Sequence, residues 1–147
     1  MATDLQVTTR KVVSTNPATG ETLREFEAAT DAEVRAGVAR ARAAQPAWNE
    51  TDVRRRVAVL RVFQRLLHKK KSEVATLISR EAGKPVVEAL LTEIMVVLDA
   101  TRFCVDNAFA FLRERPVPHG NLAMKTKVGR ILREPYGVIG IISPWNY

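Results

Sequence analysis

The feature that most limits the possible folds is an apolar run near the end of the sequence, from Val138 to Ile142. The run shows none of the alternation between apolar and polar residues that marks a strand with one face in solvent. Unbroken apolar strands are typical of parallel sheets, because helices cover both faces of such a sheet. A single parallel strand cannot form a sheet, so the sequence predicts an α/β fold that this chain holds only in part.

A β-hairpin is predicted near the start of the sequence. Its strands cover about residues 11–14 and 21–26, and Asn16–Gly20 supplies the turn between them. Pro17 fixes φ within this turn, and Gly20 permits a positive φ where the chain leaves it. Residues 1–10 are polar, lack the apolar stretch of a signal peptide, and are predicted to form a flexible leader.

Four helices are predicted between the hairpin and residue 114. Thr30 and Glu33 have the spacing of a capping box, so the first helix is expected to begin there. Pro46 is expected to end that helix after Gln45. The remaining three helices are predicted over about residues 52–71, 72–83 and 85–114, with Ser72 and Glu73 as the cap of the third helix and Gly83 as its end.

The hydrophobic period changes after these helices. From Asn121 to Glu134, apolar and polar residues alternate, with Met124 and Val128 on one face and lysines on the other. A period of two predicts a strand with one charged face.

The net charge of +7 raises the question of a nucleic-acid partner. Much of the charge lies in Arg54–Arg56 and Lys69–Lys71, on or at the end of one amphipathic helix. Neither cluster has interleaved aromatic residues or belongs to a recognition motif, so a solvated helix face is the preferred interpretation and no nucleic acid is expected. An acidic partner segment outside this chain is a further alternative.

The single cysteine, Cys104, excludes an internal disulfide and fits the reducing cytoplasm, which is the expected location. Cys104 lies in the middle of a predicted helix without a neighbouring histidine and is interpreted as a packing residue. The longest apolar runs are far shorter than the roughly 18 residues that span a bilayer, so no membrane partner is expected.

Few residues outside the end of the chain suggest chemistry. His68 and His119 are far apart, and neither has neighbours at metal-ligand spacing, so no metal site is predicted. His68 is interpreted as a solvated residue in the last turn of its helix. Glu81 and Glu93 are interpreted as partners in ion pairs rather than as catalytic acids.

The residues directly after the apolar run are the strongest candidates for a site. Open α/β sheets bind ligands beyond the carboxyl ends of their strands, where Ser143–Asn146 follows. Trp145 could form the wall of a pocket, and the Asn146 amide could donate a hydrogen bond to a developing negative charge. A tight structural turn explains the same spacing about as well.

These residues also resemble a known family. Glu134–Tyr147 is similar to the aldehyde dehydrogenase superfamily, whose members carry a P-x-G-V sequence, an apolar strand and a P-W-N sequence. The resemblance extends from about residue 11 to residue 147, in order and at family spacing. It includes N-P-A-T-G-E at 16–21, the first helix from Ala29 to Trp48, the arginine- and leucine-containing helix at 54–67, and E-A-G-K-P at 81–85.

The resemblance implies an enzyme that oxidises aldehydes to carboxylic acids with NAD or NADP through a cysteine thiohemiacetal. Asn146 matches the asparagine whose amide helps to form the oxyanion hole. The stretch that lines the cofactor cleft matches Ile142, Ser143, Pro144 and Trp145.

The resemblance also implies how the chain is divided. Residues 11–118 would be the helical N-terminal part of the cofactor-binding domain, 119–135 the oligomerisation arm strand, and 136–147 the first strand of the Rossmann-like sheet. Family members pair into dimers and tetramers through the region that matches Asn121–Glu134.

The nucleophilic cysteine, glutamate base and cofactor-binding lysine of the family lie downstream of the P-W-N sequence, and Cys104 cannot replace that cysteine. The chain is therefore expected to be the N-terminal segment of such an enzyme and to be inactive alone. The alternative is a short, non-catalytic module that docks on a full-length homologue through residues 121–134.

Overall fold

The computed structural model describes residues 11–143, so the predicted leader at residues 1–10 and the residues 144–147 lie outside the described part. Helices dominate this part, and short strands lie at its two ends. In chain order the elements are β1 (Lys11–Thr15), β2 (Thr22–Glu27), α1 (Asp31–Glu50), α2 (Val53–Lys69), α3 (Lys71–Ala82), α4 (Val86–Glu88), a π-helical segment (Ala89–Ile94), α5 (Met95–Leu112), β3 (Arg115–Val117), a 3₁₀ turn (Leu122–Met124) and β4 (Gly129–Ile131).

The first two strands form the predicted hairpin. β1 and β2 pair in antiparallel register, with Val12 opposite Phe26. In the turn, the Ala18 amide donates to the Asn16 side-chain oxygen at 2.9 Å, and Gly20 has a φ of 74°. The hairpin prediction is therefore confirmed, including the positive φ at the glycine.

The first helix begins as predicted but ends later. The Glu33 amide donates to the Thr30 hydroxyl, and the Glu33 carboxylate accepts from the Thr30 amide at 2.8 Å, which completes a capping box. These hydrogen bonds, chiefly that from the Thr30 backbone, lower the pKa of Glu33 below its ordinary value of 4.5. The predicted end at Gln45 is wrong, because α1 continues through Pro46 to Glu50. α1 has no buried residue, so the carbonyl that Pro46 leaves without its helical donor can accept from water.

The junction between α2 and α3 also differs from the prediction. Asp52 caps α2 as expected, accepting from the Arg54 amide at 2.6 Å. α2 ends at Lys69, and α3 starts at Lys71 without a side-chain cap, so the predicted cap at Ser72 and Glu73 is wrong. Glu73 instead forms an ion pair with Lys70 at 3.1 Å. An acidic residue in the first turn of α3 complements the positive end of the helix without capping it.

The long fourth helix is confirmed in extent and changed in detail. Helical structure runs from Val86 to Leu112, within the predicted 85–114. Between Ala89 and Ile94 the hydrogen bonds follow the wider π pattern, and the Met95 amide donates to the Leu90 carbonyl. A π segment adds a residue to one helical turn, which hydrophobic periodicity alone does not reveal.

The core lies where these helices meet. Ala75 of α3 and Ala89 of the π segment are completely buried, and Ile94 lies against them. Small side chains allow the two helices to approach closely. α2 packs along α5, and the Gln64 side chain donates to the Leu98 carbonyl at 3.0 Å. Other faces of the helical layer expose large apolar side chains, including Leu60, Phe63, Val96, Phe103 and Phe111.

The predicted strand at 121–134 is wrong over most of its length. Only Gly129–Ile131 is a strand, and it pairs in antiparallel register with Arg115–Val117. The Asn121 side chain accepts from the Ala123 amide at 3.0 Å and begins the 3₁₀ turn. Such local side-chain hydrogen bonds compete with strand pairing, and alternation of apolar residues does not register them.

The predicted buried strand at the end of the chain is not formed in the described residues. Residues 136–143 have no strand partner, and Ile141 and Ile142 are 84% and 99% exposed. The strands of the described part form two antiparallel pairs, β1 with β2 and β3 with β4. A strand forms only when its amide and carbonyl groups pair with a neighbour, so the apolar run alone could not produce one.

Candidate functional site

The candidate site lies at the end of the segment formed by residues 136–143. Gly137 has a φ of 97° after Pro135 and Tyr136, and the chain then continues without regular secondary structure to Ser143. Ile142 and Ser143 are both exposed. The other predicted site residues, Pro144, Trp145 and Asn146, lie outside the described residues, so the roles of all five stay predictions.

A dinucleotide binds in a cleft with two walls, so Ile142 and Ser143 would have to lie in such a cleft to hold one. Ile142 projects into solvent and lines none of the three grooves that border α1. Ile142 and Ser143 therefore do not by themselves form a cofactor-binding cleft.

A groove lies at the start of the same segment. It has a volume of about 600 Å³ and separates one face of α1 from residues 136–140. Val38 and Ala41 of α1 line it together with Val138 and Ile139. The lining of the groove ends at Gly140, two residues before Ile142, so it does not include the predicted site residues Ile142 and Ser143.

The loop between α3 and α4 contains a buried charge. Lys84 is only 9% exposed, and its ammonium group forms an ion pair with the Glu93 carboxylate, whose side chain is 38% exposed. The expected ion-pairing role of Glu93 is confirmed. A lysine is rarely buried without a partner, because desolvation of its charge must be compensated. The pair ties the Gly83–Lys84–Pro85 turn to the π segment.

The hairpin docks on the end of α3 next to this loop. Arg80 forms an ion pair with Glu21 at 3.5 Å, and the Ser14 hydroxyl donates to Glu81 at 3.4 Å. Glu81 thus accepts a hydrogen bond from the hairpin, where an ion pair was predicted. Gly83 ends α3 with a φ of 75°, and a Cβ atom there would lie 2.8 Å from Cγ of Pro17. The hairpin turn therefore rests directly on the backbone of the helix terminus.

Cys104 is exposed near the middle of α5, so its interpretation as a packing residue is wrong. The buried residues of α5 are Thr101 and Val105, which mark its packed face. Cys104 lies to one side of that face. His68 is exposed in the last turn of α2, as predicted. Residues 11–143 contain no group of three or more histidine, cysteine, aspartate or glutamate side chains that could hold a metal ion. No helix in this range is both long and apolar enough to cross a membrane.

The β3–β4 ribbon is attached to the end of α5. Arg130 forms an ion pair with Glu114 at 2.9 Å, and Arg133 donates to the Phe111 carbonyl at 2.7 Å. The absence of a side chain at Gly129 leaves room for His119, whose ring lies 3.1 Å from where a Cβ atom would be. Three apolar side chains of this region are strongly exposed: Leu122, Val128 and Leu132.

Comparison with known proteins identifies the family of this chain. The model of the aldehyde dehydrogenase family matches residues 5–147, nearly the whole chain. The chain belongs to the aldehyde dehydrogenase family. Succinate-semialdehyde dehydrogenase (NADP+) 1 of Mycobacterium tuberculosis is 32% identical to it over 136 residues, which make up 92% of this chain and 29% of that protein.

Solved structures of this family share the fold. That of Gox0499 superposes with a TM-score of 0.75 at 28% identity, over 84% of this chain and 26% of that one. An NAD-dependent benzaldehyde dehydrogenase from Corynebacterium glutamicum superposes with a TM-score of 0.68 at 24% identity, over 77% of this chain and 24% of that one. The predicted fold class, the incomplete N-terminal part of the α/β aldehyde dehydrogenase fold, is thereby confirmed. The chain spans about a quarter of the length of the curated relatives it matches.

Two contacts that hold this part of the fold together were not predicted from the sequence. One is the ion pair of the buried Lys84 with Glu93, and the other is the contact of Pro17 with Gly83. Both fall within motifs noted in the sequence, N-P-A-T-G-E and E-A-G-K-P. Their shared glycine and proline content indicated turns, but not that the two turns touch.

Proposed function

We propose that this chain is the N-terminal segment of an enzyme that oxidises an aldehyde to a carboxylic acid with NAD or NADP. The observation that carries the proposal is the family match over residues 5–147. NAD and NADP are both proposed because the related proteins include enzymes named for each. A cytoplasmic location is proposed on the presence of a single cysteine.

Within this proposal, the last residue of the apolar run and the residues that follow it supply the chemistry of the chain. Ile142, Ser143, Pro144 and Trp145 would line the cofactor, which accepts a hydride from the substrate when bound. The Asn146 amide would donate to the oxygen on which negative charge develops. A donor held in place for that charge is effective because it needs no reorganisation during the reaction.

The chain alone is proposed to be inactive. Oxyanion stabilisation without a nucleophile performs no acyl chemistry. The sole cysteine, Cys104, lies in α5, 42 positions before Asn146 and outside the P-W-N region. The role of Asn146 therefore requires a cysteine from elsewhere in the complete enzyme.

The region 121–134 is proposed to join subunits into a dimer or tetramer. Its apolar side chains Leu122, Val128 and Leu132 are strongly exposed, while Arg130 and Arg133 attach the ribbon firmly to α5. Apolar residues on an anchored ribbon are suited to burial against a second subunit. The same exposure supports the second candidate function, a short non-catalytic module that docks on a full-length homologue through this ribbon.

The division of the chain implied by the family is also proposed: residues 11–118 for the helical part of the cofactor-binding domain, 119–135 for the arm, and 136–147 for the first sheet strand. The groove supports a boundary near residue 136, since residues 136–140 line it together with α1 of the helical part.

The test is aldehyde-dependent reduction of NAD or NADP, followed by absorbance of the reduced cofactor, in the native protein from its source. We expect activity in the native protein and none in the 147-residue chain. Asn146→Ala in the native protein should lower kcat by about 100- to 1,000-fold, as expected for loss of one oxyanion donor.

Asn107→Ala is the matched control, because among residues 11–143 the Asn107 side chain bonds only to the Phe103 carbonyl of its own helix. It should leave kcat unchanged. Activity in the isolated chain, or an Asn146→Ala enzyme as active as the control, would contradict the proposal. Loss of the native protein's activity on adding excess 147-residue chain, without activity of the chain itself, would favour the docking module.

A further inference from the structure

Helix α2 carries an exposed basic stripe. Arg54, Arg61, Arg65 and Lys69 are separated by seven, four and four residues, so they lie on one face of the helix. The stripe extends over about 22 Å at the helical rise of 1.5 Å per residue. All four side chains are exposed, and α2 itself contains no acidic residue.

No carboxylate within residues 11–143 neutralises this stripe. The ion pairs of the described part involve other basic residues: Lys11, Lys70, Arg80, Lys84, Arg102 and Arg130. The stripe is thus a line of four positive charges without an ion-pair partner in this part of the chain.

An apolar ridge runs beside the stripe. Val59, Val62 and Leu66 follow the helical spacing of three and four residues, and each is about half exposed. This ridge is distinct from the face that packs on α5, where Val57 is buried and Gln64 reaches the Leu98 carbonyl. The outer surface of α2 is therefore amphipathic in its own right, apolar along one line and basic along the next.

We propose that this outer surface of α2 binds an acidic amphipathic helix of a partner polypeptide. The apolar side chains of the partner would cover Val59, Val62 and Leu66. Its carboxylates, spaced at about one helical turn, would pair with the arginines and Lys69. The site is separate from the candidate active-site segment, and the inference does not depend on the proposed function.

The composition of the surface favours a polypeptide over a nucleic acid. Arginine and lysine can pair with phosphates, with guanine edges or with carboxylates, so the basic stripe alone does not define its partner. Single strands bind by stacking successive bases on several aromatic rings, and α2 has one phenylalanine, Phe63, and no tyrosine or tryptophan. Phosphates would pair with the stripe but would leave the apolar ridge uncovered, whereas an amphipathic helix uses both.

The test measures binding of a fluorescein-labelled helical peptide that repeats glutamate at four-residue spacing beside leucine. The full chain is titrated into this peptide and into a peptide of the same composition with scrambled order. The stripe variant carries Arg54→Glu, Arg61→Glu, Arg65→Glu and Lys69→Glu.

The matched control reverses four exposed basic residues elsewhere: Arg35→Glu, Arg40→Glu, Lys125→Glu and Lys127→Glu. Both variants change the net charge equally, and circular dichroism checks that each keeps its helix content. A third variant, Val62→Ser with Leu66→Ser, removes the ridge without changing any charge.

We expect the stripe variant to bind the amphipathic peptide about 30-fold more weakly, from the loss of four exposed ion pairs. The ridge variant should also bind more weakly, and the control should bind like the unaltered chain. Equal weakening by stripe and control variants would overturn the inference, since only net charge would then matter. Equal affinity for the scrambled peptide, or tighter binding to a DNA duplex or to vesicles containing phosphatidylserine, would overturn it as well.

Discussion

The contact between the hairpin turn and the end of α3 makes a quantitative prediction for Gly83→Ala. Gly83 has a φ of 75°, and an added Cβ would lie 2.8 Å from Cγ of Pro17. The left-handed conformation costs an L-residue about 1–2 kcal/mol. Overpacking against the proline ring adds about 1–3 kcal/mol. We therefore expect the variant to lose about 2–5 kcal/mol of unfolding free energy, a large share of the stability of a typical domain.

The chain offers a control that separates the two contributions. Gly20 has nearly the same φ, 74°, but nothing lies within 4 Å of the position a Cβ would occupy. Gly20→Ala should therefore show only the conformational loss of about 1–2 kcal/mol. The difference between the two variants measures the clash with Pro17.

The assay is urea unfolding of the protein, followed by circular dichroism at 222 nm. Pro17→Ala removes the Cγ atom and leaves a Cβ at 3.7 Å, an ordinary contact distance. In the double variant, Gly83→Ala should thus lose only the conformational part. If Gly83→Ala is no more destabilising than Gly20→Ala, or if Pro17→Ala brings no relief, the hairpin does not rest on the helix terminus as described.

Two further predictions concern charged groups. The pKa of Glu33 is lowered below 4.5 by hydrogen bonds from Thr30, so its contribution to helix stability is present above pH 4.5 and is lost as the pH falls through the folded-state pKa. The protection factors of the amides in the first turn of α1, which correct for the intrinsic pH dependence of exchange, should decrease over that fall, and a Glu33→Gln variant that shows the same step would contradict this assignment. Glu93→Gln should destabilise the protein by about 1–3 kcal/mol because it weakens the charged hydrogen bond of a buried lysine. Lys84→Met should cost less, because the more exposed Glu93 can be hydrated, and the reverse order in urea unfolding would refute this interpretation.

The sequence predicts most of the helical part because its signals are local. The capping box at Thr30, the cap at Asp52 and the left-handed glycine at Gly83 each act within one helical turn. Such signals depend little on the rest of the molecule. The error at Pro46 has the same origin, since the local rule ignores that an exposed helix can leave one carbonyl to water.

The strands are predicted less well because pairing depends on distant residues. Asn121 diverts its neighbourhood into a 3₁₀ turn through one side-chain hydrogen bond. Residues 138–142 have the composition of a buried strand, yet they find no neighbour within the described part and stay exposed. The hydrophobic pattern of a segment shows that it is able to form a strand. Whether the strand forms depends on a neighbouring strand with which it can pair.

The residues of the candidate site were predicted from the family resemblance and not from the geometry of the fold. Its polar residue, Asn146, follows the apolar run in the sequence, but spacing alone could not separate an oxyanion donor from a turn residue. The α2 surface shows the opposite case. Its basic residues were visible in the sequence, while the absence of carboxylate partners within residues 11–143 emerged only from the folded chain.

The intact mass of the native protein, isolated from its source with an antibody against residues 11–143, tests the central claim most directly. If these residues are the N-terminal segment of an aldehyde-oxidising enzyme, the mass will be several times the 16.4 kDa of the 147-residue chain. A native mass of 16.4 kDa would contradict that account and would leave the docking module as the function to pursue.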